Sequence, residues 1–227
     1  MKHTIKRGAD AIRGFRKSRP REFHWSIYGM GALADANIFD RMDARRHGFQ
    51  LNCLPGCLAG KLKTAPIVLL FLSPGFAAAD LDDASSEDGK DYRFRSWQGD
   101  EPFRDNGPGR TWLASRTKPF GDYETIKNKF ALLNIGAYHS KDVKSYASLL
   151  ALPSSRVSLT WAQEYLFPDA EAGKRIVLCM RSAAYWGLDT GRSYGKGLFA
   201  PLVNRMGHFF KTDENKKLIE LVRERAS

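Results

Sequence analysis

The stretch Ala65-Pro66-Ile67-Val68-Leu69-Leu70-Phe71-Leu72-Ser73-Pro74-Gly75-Phe76 constrains the fold more than any other part of the chain. Six apolar residues in a row, 67–72, show no polar alternation, so a strand here must be covered on both faces. That is the condition of a parallel sheet wrapped by helices, and such folds bind ligands at the carboxyl ends of their strands. The run stops at Ser73-Pro74-Gly75-Phe76, where Pro74 fixes one backbone angle and Gly75 lets a ligand come close to the main chain. An ordinary strand-to-loop turn has the same composition, so what else arrives at this corner decides between the two.

Two further segments, 130–135 and 175–180, are short, apolar and end at polar residues, and they read as strands of the same kind. Between them, 154–166 opens on Ser154 and Ser155 and carries apolar residues at helical spacing, which makes a strand, helix, strand crossover. Helices are also expected within 32–46, from 183 to 188, and over 214–226, where Leu218, Leu221 and Val222 share one face. The expected class is α/β, a three-layer α/β/α domain with a short, mainly parallel central sheet. A chain of 227 residues with 43% hydrophobic content can bury one sizeable core, so 26–227 reads as a single domain. It is preceded by a basic arm over 1–25 and carries a long insertion at about 82–128, charged and irregular in pattern.

Lys and Arg number 36 against 25 Asp and Glu, a formal charge of +11, and the arm alone supplies Lys2, Lys6, Arg7, Arg13, Arg16, Lys17, Arg19 and Arg21. Such a balance favours a polyanionic partner, nucleic acid foremost. The insertion interleaves Tyr92, Phe94, Trp97, Phe103, Trp112 and Phe120 with Arg93, Arg95, Arg104, Arg110 and Arg116. Aromatic faces stack on unpaired bases and guanidinium groups pair with phosphates, but the same aromatics can simply anchor a loop to the core. No apolar run reaches the roughly 18 residues that cross a bilayer, and the amino terminus lacks the apolar core of a secretion signal. A cytoplasmic protein with no membrane partner is therefore expected. Three cysteines, Cys53, Cys57 and Cys179, are odd and sparse, which suits a reducing compartment. With His47, Cys53 and Cys57 make no standard metal spacing and lack a fourth ligand, so neither a metal nor another cofactor is expected.

The three strand ends deliver Ser73-Pro74-Gly75-Phe76, then Asn134 with Tyr138-His139-Ser140, then Arg181-Ser182. In this order the chain resembles the uracil-DNA glycosylase superfamily, over roughly residues 54 to 205. There an apolar strand runs into a Pro-containing corner, a second ends in a base-reading Asn, and a third is followed by a helix with small residues. The segments Leu70-Phe71-Leu72-Ser73-Pro74-Gly75-Phe76, Ala131-Leu132-Leu133-Asn134 and Ile176-Val177-Leu178-Cys179-Met180-Arg181-Ser182-Ala183-Ala184 are similar to those three elements.

The resemblance implies a glycosylase-like fold acting on DNA rather than RNA, in which an extruded base is gripped and its glycosidic bond breaks. It makes Asn134 the base reader, Phe76 the stacking ring, and Pro74 and Gly75 the backbone that approaches the base. His139 becomes the candidate acid, with Ser73 at the first corner and Asp83, in the group Asp80, Asp82 and Asp83, as candidates for handling the water. Arg181 and the loop residues Arg192, Ser193 and Lys196 become candidates for nucleic-acid contact. Ser73 stands where the family has Asp or Asn, and Thr190-Gly191-Arg192-Ser193-Tyr194-Gly195-Lys196-Gly197 stands where the family has a late histidine motif. The sequence thus leaves two readings open, a hydrolase of base–sugar bonds and a binding module of the same fold without that chemistry. A small-molecule enzyme with Ser73 as nucleophile ranks behind them, because Ser73 has no Gly-x-Ser-x-Gly elbow.

Overall fold

A computed structural model describes residues 34–43 and 47–227, so the basic arm expected over 1–25 lies outside the described residues. Among the described residues six strands form one sheet: β1 Leu58–Gly60, β2 Ile67–Phe71, β3 Phe130–Asn134, β4 Ile176–Cys179, β5 Arg192–Tyr194 and β6 Leu198–Ala200. Their order is β1-β3-β2-β4-β6-β5. The central strands β3, β2, β4 and β6 run parallel, and β1 and β5 close the two edges antiparallel. The class is mixed α/β with a mainly parallel sheet, and the three expected central strands lie within a residue of their expected bounds.

Every residue of β2, β3 and β4 is buried, which is why these strands read as unbroken apolar runs. Successive side chains still alternate between faces. Val68, Leu70 and Leu72 join one core cluster with Leu133, Val177, Leu149, Leu166 and Trp186. Ile67, Leu69 and Phe71 join a second with Leu132, Leu178, Leu113, Leu218 and Val222. Helices cover both faces accordingly. Between β2 and β3 lie α1 Ala78–Ser85, α2 Glu87–Ser96, α3 Gly109–Thr117 and α4 Tyr123–Ile126. Between β3 and β4 lie α5 Tyr146–Ala151, α6 Pro153–Trp161 and α7 Phe167–Glu171, and beyond β4 come α8 Ala183–Trp186 and α9 Asp213–Ala226. A further helical stretch covers 34–39.

Two expectations are corrected. The insertion at 82–128 is mostly helical, because its caps are strong where its apolar pattern is weak: Ser86 Oγ accepts from Gly89 N at the start of α2, and Asp122 accepts from Thr125 N at the start of α4. The stretch 154–166 is not one α-helix, since α6 opens at Pro153 and a wide π turn, Ala162–Leu166, leads into α7. Pro168 has no N–H to give the preceding turn, and a widened turn is one way for a helix to pass such a residue. Asp35 is fully buried in the same region, accepting hydrogen bonds from Tyr138 Oη at 3.0 Å and Ser154 N at 3.1 Å. Burial raises its pKa, opposed by those hydrogen bonds. Among the described residues no helix is long and apolar enough to cross a membrane.

Candidate functional site

The chain leaves β2 toward β3 on one side and, after crossing back to β4, proceeds to β6 on the other. The carboxyl ends of β2 and β4 therefore flank a topological switch point, where open α/β sheets form their ligand crevice. The Ser73–Phe76 corner sits at this point and is stitched to the loop that follows β3. Ile135 N donates to Phe71 O at 3.2 Å, Gly136 N to Leu72 O at 2.8 Å, and Ser140 N to Pro74 O at 3.2 Å. His139 Nδ1 donates to Gly75 O at 2.7 Å, so the imidazole itself helps hold the corner. A cavity opens on each side of it.

The first cavity, about 160 Å³, is lined mainly by apolar and aromatic groups, among them Tyr92, Phe103, Trp112 and Tyr123, with Pro74, Asn134 and His139. Asn134 is the last residue of β3 and is 8% exposed. Its main-chain N–H donates to Cys57 O at 2.6 Å, while its side-chain amide has no hydrogen-bond partner among the described residues. Tyr123 likewise has a buried hydroxyl without a partner. Guanidinium groups dress the rings: Arg104 lies 5.1 Å from the centroid of Tyr92, and Arg110 5.4 Å from that of Tyr123. Arg93 also lines the cavity and packs against Gly56, where an added Cβ would come within 2.3 Å of its Nη1.

The acidic groups near this cavity are engaged. Asp83 accepts from Arg104 Nη1 at 2.7 Å, and the same arginine reaches Asp88 at 2.8 Å. Asp80 Oδ2 accepts from Ala77 N at 2.7 Å, which caps α1, and lies 3.7 Å from His139 Nδ1. Burial lowers the pKa of His139, Arg93 lowers it further, and Asp80 opposes both. A neutral ring that spends its Nδ1–H on Gly75 O has Nε2 left as a hydrogen-bond acceptor.

The second cavity, about 370 Å³, is polar. It is lined by Ser73 and Gly75 from the corner, Trp112 and Arg116 from α3, Lys141 and Asp142 from the loop after β3, and Arg181 and Arg205 from segments beyond β4. Arg116 is only 7% exposed, with its Nη1 2.9 Å from His208 Nε2 and its guanidinium 5.3 Å from the centroid of Trp112. Its Nε is buried and unpartnered among the described residues. Desolvation lowers its pKa, and the nearby Arg181 lowers it again.

The structure thus brings Pro74, Asn134, His139 and Asp83 to the first cavity, and Ser73, Gly75 and Arg181 to the second. The three residues singled out for catalysis are divided between the two, with Asp83 held in an ion pair. Phe76 lines neither cavity. Arg192 and Ser193 lie on the outer strand β5, where Arg192 pairs with Asp189 at 3.0 Å. Lys196 sits in the turn before β6, at the amino edge of the parallel strands and away from the crevice. Sequence reasoning gave no individual role to Tyr123, Arg93 or Arg116; the interleaving of arginines with aromatics was the signal, and it could not say which of them turn inward. Among the described residues no group of three or more His, Cys, Asp or Glu side chains is placed to share a metal ion. The three cysteines are free and buried, and burial pushes the Cys179 thiol up to about 12. No family model matches the chain, and neither a curated protein nor a solved structure matches it.

Proposed function

We propose that this protein recognises a single nucleobase of a nucleic acid, DNA in the first instance, on a scaffold like that of the uracil-DNA glycosylase superfamily. One observation carries the reading: the side-chain amide of Asn134, a residue only 8% exposed, has no partner among the described residues and opens on a ring-sized cavity walled by aromatic side chains. An amide edge offers a donor and an acceptor side by side, and a heterocycle edge with the complementary pair would satisfy both once the ring fills the cavity. The aromatic walls would stack on the ring, and the surrounding arginines and the overall charge of +11 would draw the polyanion in.

The test is a titration of single-stranded DNA oligonucleotides, with RNA counterparts, that carry uracil, hypoxanthine, an alkylated base or a stable abasic analogue at one position. At least one base should bind about tenfold tighter than the abasic analogue, the loss expected when a buried hydrogen-bonding edge is left empty. Equal affinity for all of them would overturn the reading.

Hydrolysis of the base–sugar bond is a second reading, favoured by the 3.7 Å approach of Asp80 to His139 at the wall of the same cavity. Asp80 offsets part of the lowering that burial and Arg93 impose on His139, and the free Nε2 of the neutral ring is the atom that would take a proton from water. Abasic product at protein concentrations equal to the DNA would support this reading, and intact DNA would leave recognition alone.

A further inference from the structure

The second cavity carries positive charge that the described residues do not balance. Four cationic side chains, Arg116, Lys141, Arg181 and Arg205, line it against the single carboxylate of Asp142. Asp142 is itself largely exposed and lies 3.7 Å from Arg205, an arrangement that solvent screens strongly. Arg116 differs from the others because the fold fixes it. Trp112 supports its plane, His208 takes one of its N–H groups, and its Nε remains buried without a partner. Neither Arg116 nor Arg181 has a carboxylate within ion-pair distance among the described residues. A guanidinium held out of water beside a second one is unfavourable unless an anion joins them.

We propose that this cavity binds a phosphate group, held by Arg116 and Arg181, with Lys141 and Arg205 adding to the field and the Ser73 hydroxyl available as a further donor. The excess of cations matches a phosphate better than a single carboxylate, and planar guanidinium forks suit two phosphate oxygens at once. At about 370 Å³ the space exceeds a bare phosphate and leaves room for an attached sugar. The assignment does not depend on which ring the first cavity takes.

The probe is inorganic phosphate, titrated into the full chain by calorimetry and by phosphorus NMR line broadening. One phosphate per chain is expected to bind, about tenfold more weakly in Arg181→Gln and about fivefold more weakly in Arg116→Lys, which keeps the charge and loses the fork. Circular dichroism establishes that both variants are folded. Asn134→Ala should keep phosphate affinity within about twofold, so failure of base recognition leaves this result standing. Absence of saturable binding up to about 20 mM phosphate, or unchanged binding in both arginine variants, would overturn the proposal. Two oligonucleotides of one sequence, one with a 5′-phosphate and one with a 5′-hydroxyl, then identify the source. Tighter binding of the first assigns a terminal phosphate. Equal binding that Arg181→Gln weakens for both assigns a backbone phosphodiester.

Discussion

The two cavities share a wall and are built on opposite principles. Trp112 lines both, yet the first holds a neutral amide without a hydrogen-bond partner among aromatic rings, and the second a buried cation without a carboxylate partner among polar groups, both among the described residues. The same corner separates them: Pro74 turns to the first, Ser73 and Gly75 to the second. An amide in an apolar pocket discriminates shape and hydrogen-bond pattern, whereas a buried cation selects charge. On the proposed reading, discrimination and attraction fall in neighbouring compartments, one for a base and one for the phosphate that carries it.

The contrast can be broken at four places. Asn134→Ala has the largest expected effect, a loss of about 2 kcal/mol in affinity for a base-containing oligonucleotide with phosphate affinity unchanged, measured by parallel titrations. Trp112→Ala should weaken both ligands, the ring by about 1.5 kcal/mol through lost stacking; a change confined to one would separate the cavities more sharply than the shared wall suggests. Arg116→Met should remove phosphate binding while leaving stability unchanged or raising it by about 1 kcal/mol, read from denaturant midpoints, because it replaces an uncompensated buried charge with an apolar chain of similar length.

The smallest effect is a pH dependence. The folded state holds His139 below its unfolded pKa of about 6.5, so the unfolded chain binds more protons in mildly acid solution. Stability is therefore full above that value and falls as pH drops through it toward the folded pKa. The wild-type loss between about pH 7.5 and 5.5 should exceed that of His139→Gln by roughly 0.5–1 kcal/mol. Coincident profiles would place the titrating group elsewhere.

The central strands were legible because complete burial erases alternation: 67–72, 130–135 and 175–180 could be little else. The edge strands β1 and β5 and the inner strand β6 were not, since three residues carry no period. The helices of 78–117 were also hidden. α1 buries no side chain, and α2 contains Gly89 in a sequence of mostly charged residues, so neither presents an apolar stripe. At the site, Pro74, Asn134 and His139 could be read because strand ends place them at the crevice whatever the rest of the chain does. Tyr123 and Arg116 could not, because they reach it through helices whose position is settled by tertiary packing alone. Asp83 illustrates the converse, an acidic residue near the right corner whose charge is spent on Arg104.

The brevity of β1 and β5 has its own consequence. A parallel core would otherwise end in long open borders, each a row of free N–H and C=O groups ready to recruit a strand from another molecule. Here both borders are closed by antiparallel segments of only three residues. So short a template offers few rungs for intermolecular pairing, and the sheet is thereby shielded from growing into a fibril.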